Sequence, residues 1–139
     1  MAAASDVIRH RPFLEARIWR VEHEAGLERN GTRAAVKADG QLAKSRRDLI
    51  LGERREEIRS IAARRKATSI ALTGSVARGS DVDASDCDFI VETASGATLF
   101  DLAGLQCDLE DLLGCNVDVV EAKNVKPGYE QLFADALLL

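Results

Sequence analysis

Leu72 to Val91 reads L-T-G-S-V-A-R-G-S-D-V-D-A-S-D-C-D-F-I-V, and the fold is decided there. An apolar run, Ile70 to Leu72, stops at Gly74-Ser75, where small residues mark a turn. A loop follows with aspartates at 81, 83, 86 and 88, leading into the apolar run Phe89 to Val91. This pattern predicts strand, turn and acidic strand in succession. Backbone N–H groups at such a turn, with the Ser75 hydroxyl, are suited to an anion such as phosphate. Asp86 and Asp88 are two apart, so a strand beginning there places both carboxylates on one face and Cys87 on the other. Carboxylates held close repel unless a cation neutralises them, and Mg2+ takes one or two carboxylates together with substrate phosphates. Asp81 and Asp83 lack this register and read as solvated turn residues, and Cys87 as a small core residue.

The spacing as a whole, G-S-x-x-R-G, six residues from Ser80 to Ser85, then D-x-D and three apolar residues, resembles the signature of the polymerase beta nucleotidyltransferase superfamily. Within it the chain is most similar to the minimal nucleotidyltransferases. The family pattern asks for a third carboxylate on a later strand, and Asp118 within Asn116-Val117-Asp118-Val119-Val120 answers it. The resemblance covers the chain from about Leu49 onward.

It implies an α/β nucleotidyltransferase fold, a small mixed sheet packed with helices. Residues 45–139 form that domain in this reading, and residues 1–44 a helical N-terminal extension with Val7, Ile8, Phe13, Leu14, Ile18, Trp19 and Val21 as its apolar positions. The resemblance implies Asp86, Asp88 and Asp118 as metal-holding catalytic residues, Mg2+ as cofactor and ATP as substrate. Gly74 and Ser75 are then the nucleotide contacts, joined by Gly79 and by Arg78, which could touch phosphate or brace the acidic loop. It further implies an antitoxin that transfers AMP to a hydroxyl, a tyrosine in the family pattern, of a HEPN ribonuclease toxin partner. An antitoxin acting by binding alone, and a nucleotidyltransferase for small molecules, are the alternatives.

The rest of the chain fits around the motif. Leu49 to Lys66 reads as a helix with an apolar stripe at Leu51, Ile58, Ile61 and Ala62, its start weakened by Gly52. Thr98 and Asp101 match a capping signature, opening a helix with leucines at 102, 105, 109 and 112 that Gly114 stops. Pro127 introduces a final helix carrying Leu132, Phe133, Ala136 and Leu137.

Charge is divided along the chain. Residues 1–66 carry 16 Lys/Arg against 10 Asp/Glu, and residues 67–139 carry 3 against 13, for a net charge of −4. The acidic half, which holds the motif, disfavours direct nucleic-acid binding. Three cysteines without ligand spacing, and no apolar run of membrane length, lead to the expectation of a reduced, cytoplasmic protein without a membrane partner.

Overall fold

The computed structural model describes residues 45–139. The expected helical extension over 1–44 lies outside the described residues. Chain order is α1 (Arg46–Leu51), α2 (Arg55–Arg64), β1 (Ala67–Thr73), α3 (Gly74–Arg78), β2 (Cys87–Thr93), α4 (Leu99–Leu113), β3 (Val117–Glu121), a 3-10 turn (Ala122–Asn124), α5 (Gln131–Asp135) and β4 (Leu137–Leu138).

Among the described residues the strands form one sheet in the order β3-β2-β1-β4. β1 runs antiparallel to β2 and β4, and β2 runs parallel to β3 across the α4 crossover. The expected small mixed sheet is present. Alternation along its strands makes two apolar faces. On one face Ile70, Leu72, Cys87, Phe89, Val91 and Val117 meet Ile58, Ile61, Leu105 and Leu109 of α2 and α4. Each large side chain sealed there contributes about 1.5–3 kcal/mol. On the other face Ala71 and Ile90 are covered by Ala122, Phe133 and Ala136 of the C-terminal segment.

α4 starts as its sequence predicts: the Thr98 hydroxyl accepts from the Asp101 N–H at 3.4 Å, and the Asp101 carboxylate accepts from the Thr98 N–H at 2.9 Å. Gly114 ends it in the left-handed conformation, φ 67°. Of its leucine stripe, Leu105 and Leu109 are fully buried, while Leu102 and Leu112 pack at the margin.

Two expectations are corrected. The helix over Leu49 to Lys66 is two helices, because α1 ends at Leu51 with Gly52 as its C-cap and α2 starts afresh at Arg55. The final helix is shorter than its apolar pattern suggested. α5 stops at Asp135, and Leu137 and Leu138 form β4, pairing with Leu72 and Ala71. The free edge of β1 offers them backbone partners that an exposed helical turn would not, and Ala136 and Leu139 end up buried beside it. Among the described residues no helix is long and apolar enough to cross a membrane.

Candidate active site

The end of β1 sets the geometry. Gly74 follows directly in the left-handed conformation, φ 72°, which favours glycine over any residue with a Cβ. A second constraint acts on the same residue: a Cβ there would collide with Asp88 Oδ2 and lie 3.2 Å from Asp88 Cγ. The glycine is therefore required by its backbone and by the carboxylate lying against it. α3 then turns once, with Val76 and Ala77 buried and Ser75 partly exposed, and Gly79 closes it at φ 74°. Gly79 N–H donates to the Val76 carbonyl at 3.1 Å, so this glycine serves the turn.

Asp88 belongs to β2, opposite Thr73 of β1 and in register with Asp118 of β3. Residues in register on neighbouring strands project to the same face, so the two carboxylates stand side by side. Asp88 is partly buried and Asp118 exposed. Burial raises the Asp88 pKa above the ordinary carboxylate range, and the charges of Asp118 and Asp86 raise it further against the opposing pull of Arg78. The electrostatics place all three carboxylates in one field.

Asp86 is less fixed than the sequence pattern suggests. β2 begins at Cys87, whose N–H donates to the Asn116 carbonyl at 2.9 Å, so Asp86 stands exposed one residue outside the ladder. A groove of about 440 Å3 opens beside it, bounded by Asp83, Ser85, Glu110, Asp111 and Asn116. Among the described residues, no group of three or more His, Cys, Asp and Glu side chains is drawn together tightly enough to hold a metal by itself. Asp88 and Asp118 nevertheless have the donor chemistry Mg2+ takes: paired hard oxygens whose mutual repulsion a divalent cation relieves, the rest of its shell being left to phosphate oxygens.

The two cationic partners of this region were not legible from spacing. Arg78 donates from Nη1 to Asp135 Oδ2 at 2.6 Å, tying α3 to α5 rather than bracing the acidic loop. The acidic loop is braced from the other side, with Arg46 Nε 3.2 Å from Asp81 Oδ2. Asp81, read from the sequence as a solvated turn residue, is thus an ion-pair partner. Thr73, buried, donates its hydroxyl to the Leu132 carbonyl and fixes the C-terminal segment over the end of β1. Cys87 points into the core as expected. Its sulfur lies 3.0 Å from that of Cys115, and burial, with Cys115 alongside, pushes its thiol up to about 12 despite the Arg46 guanidinium.

This arrangement, a glycine turn pressed against paired carboxylates on parallel strands, defines a nucleotidyl-transferring class of fold, and comparison with known proteins agrees. The family model for the nucleotidyltransferase domain matches residues 55–136, and the chain belongs to that family, within it to the minimal nucleotidyltransferases. A solved structure described as a candidate minimal nucleotidyltransferase is 40% identical, with a TM-score of 0.58, covering 64% of this chain and 92% of its own. MJ0435 of Methanocaldococcus jannaschii, by name a candidate protein adenylyltransferase, is 39% identical over 57 residues, or 41% of this chain. The match spans 61% of the length of MJ0435. A mutant of the toxin–antitoxin MntA-HpeT shares the fold at 20% identity, with a TM-score of 0.53 over 60% of this chain and 69% of that one.

Proposed function

We infer that the chain is an antitoxin of the protein-adenylylating kind, moving AMP from ATP to a tyrosine hydroxyl of a HEPN-type ribonuclease toxin. The observation that carries this reading is the Asp88–Asp118 register pair set against Gly74. Membership of the minimal nucleotidyltransferases supports the chemistry, and the names borne by MJ0435 and the MntA-HpeT structure support a protein acceptor in a toxin–antitoxin pair.

Asp88 and Asp118, joined by Asp86, are the residues that would hold Mg2+. Bound there, the ion would neutralise triphosphate charge and make the acceptor hydroxyl easier to deprotonate. The chain's own groups account for the rest. Gly74 leaves the space against Asp88 free of any side chain, and the partly exposed Ser75 hydroxyl can donate to the terminal phosphates. Asp118, the more exposed of the pair, is open to an acceptor hydroxyl and would take up its proton. The hydroxyl oxygen bonds to the α-phosphorus, the bond from that phosphorus to the bridging oxygen breaks, and pyrophosphate leaves. Arg78, engaged with Asp135, lies close enough to lower the Asp88 pKa and so supports the ionised carboxylate.

The test is transfer of labelled AMP from ATP to the protein encoded beside this one, with wild-type chain and with Asp86→Asn/Asp88→Asn. Label on the neighbour with the first and not the second supports the reading. A stable complex without label would favour an antitoxin that acts by binding. Label on a small hydroxyl compound instead would favour a small-molecule transferase.

A further inference from the structure

Asp86 must be placed by something other than its strand. The β2 ladder takes hold only at Cys87, and the residues before Asp86, Val82 to Ala84, are exposed. The holding contacts come from α1. Arg46 Nη1 donates to the Ser85 carbonyl at 2.7 Å, Nη2 donates to the Val82 carbonyl, and Nε faces Asp81 Oδ2 at 3.2 Å. One side chain thus grips the chain immediately before Asp86.

The gripped loop is itself a closed turn: Ser85 N–H donates to the Val82 carbonyl and Val82 N–H to Ser85 Oγ, both at 2.9 Å. Arg46 fixes the carbonyls of both residues that close it. The planar guanidinium fork can serve two carbonyls and a carboxylate together, whereas a lysine ammonium offers one point of attachment. The Arg46 side chain is 23% exposed and that of Asp81 15%, so the contact is shielded from solvent. Arg46 also lies ahead of residue 55, where the family match begins.

We propose that Arg46 is a positioning residue for Asp86, holding that carboxylate within reach of Asp88 and Asp118. The proposal rests on the metal-holding role given above to the three aspartates. It is tested on the full chain by calorimetric titration with Mn2+ in the presence of a non-hydrolysable ATP analogue, comparing wild type, Arg46→Ala, Arg46→Lys and Asp86→Asn. Supporting side chains around metal ligands are typically worth tenfold or more in affinity. Arg46→Ala therefore weakens Mn2+ binding by about tenfold with little change in Tm, and Arg46→Lys recovers only part of the loss. Amide exchange without metal gives the second readout: the Ser85 N–H exchanges faster in Arg46→Ala.

Wild-type Mn2+ affinity and Ser85 protection in Arg46→Ala, with binding lost in Asp86→Asn, would overturn the role of Arg46 and leave the metal site standing. Unchanged affinity in Asp86→Asn would overturn the site reading and this proposal with it. Should Arg46→Ala not fold, Arg46→Lys decides: reduced affinity in a folded protein supports the proposal, and wild-type affinity overturns it.

Discussion

Asp88 and Asp118 are register partners on the parallel strands β2 and β3, and the charge of Asp118 disfavours ionisation of Asp88. Burial, with the charges of Asp118 and Asp86 added to it, makes Asp88 bind a proton more tightly in the folded chain than in the unfolded one. Its contribution to stability is full below the ordinary carboxylate pKa and is lost as pH rises through the raised value. Asp88→Asn, which removes the charge, should raise the Tm of the metal-free protein at neutral pH. The gain should shrink on acidification into the carboxylate range and vanish once Asp88 is protonated in wild type. Thermal unfolding of both proteins across that range checks it, and an equal gain at every pH would contradict the assigned cause.

Gly74→Ala meets two penalties. The left-handed backbone costs about 1–3 kcal/mol for a residue with a Cβ, and that Cβ collides with the Asp88 carboxylate. The expected variant is folded, destabilised by about that amount, and deficient in nucleotide binding. Gly96→Ala is the control, since its φ of 90° brings the same backbone strain but nothing lies within 4 Å of the added Cβ. Denaturant unfolding with nucleotide titration separates the two: both lose stability, and only Gly74→Ala loses nucleotide.

Thr73→Val keeps shape and removes the hydroxyl that donates to the Leu132 carbonyl. An unsatisfied buried acceptor costs about 1–3 kcal/mol. The loss should be felt in α5 and β4, which are packed onto the second face through Phe133 and Ala136. Faster amide exchange at Leu139, whose N–H donates to the Ile70 carbonyl at 3.0 Å, would report it.

Arg78 and Asp135 form an ion pair with side chains 48% and 9% exposed. A pair this open on the cationic side contributes about 1 kcal/mol or less. A double-mutant cycle with Arg78→Ala and Asp135→Ala should give a coupling of that size in stability. If Arg78 also meets phosphate, Arg78→Ala weakens ATP binding and Asp135→Ala does not, which separates phosphate contact from the pairing with Asp135.

The centre of this molecule was legible because its signals are local. The Gly74-Ser75 turn, the apolar run that follows Asp88, and the capping pair Thr98 and Asp101 each specify their conformation within a few residues. Asp118 could be found because the family pattern asks for a third carboxylate on a later strand, and the acid among Val117, Val119 and Val120 answers it. What could not be read depends on distant pairing. Leu137 and Leu138 fit a helical stripe until β1 offers them an edge. Arg46 is one of several arginines near Leu49, and nothing in the sequence distinguishes the one that reaches Ser85, 39 residues away. Asp86 looked fixed by strand periodicity because a sequence does not show which residue starts the ladder.

In the proposed function, Asp86, Asp88 and Asp118 serve AMP transfer to a protein. It is tested most directly by weighing the intact neighbouring gene product after incubation with this chain, ATP and Mg2+. The expected result is a mass gain of one or more AMP units that is absent with Asp86→Asn/Asp88→Asn. An unmodified neighbour, or an equal gain with the double variant, would contradict it.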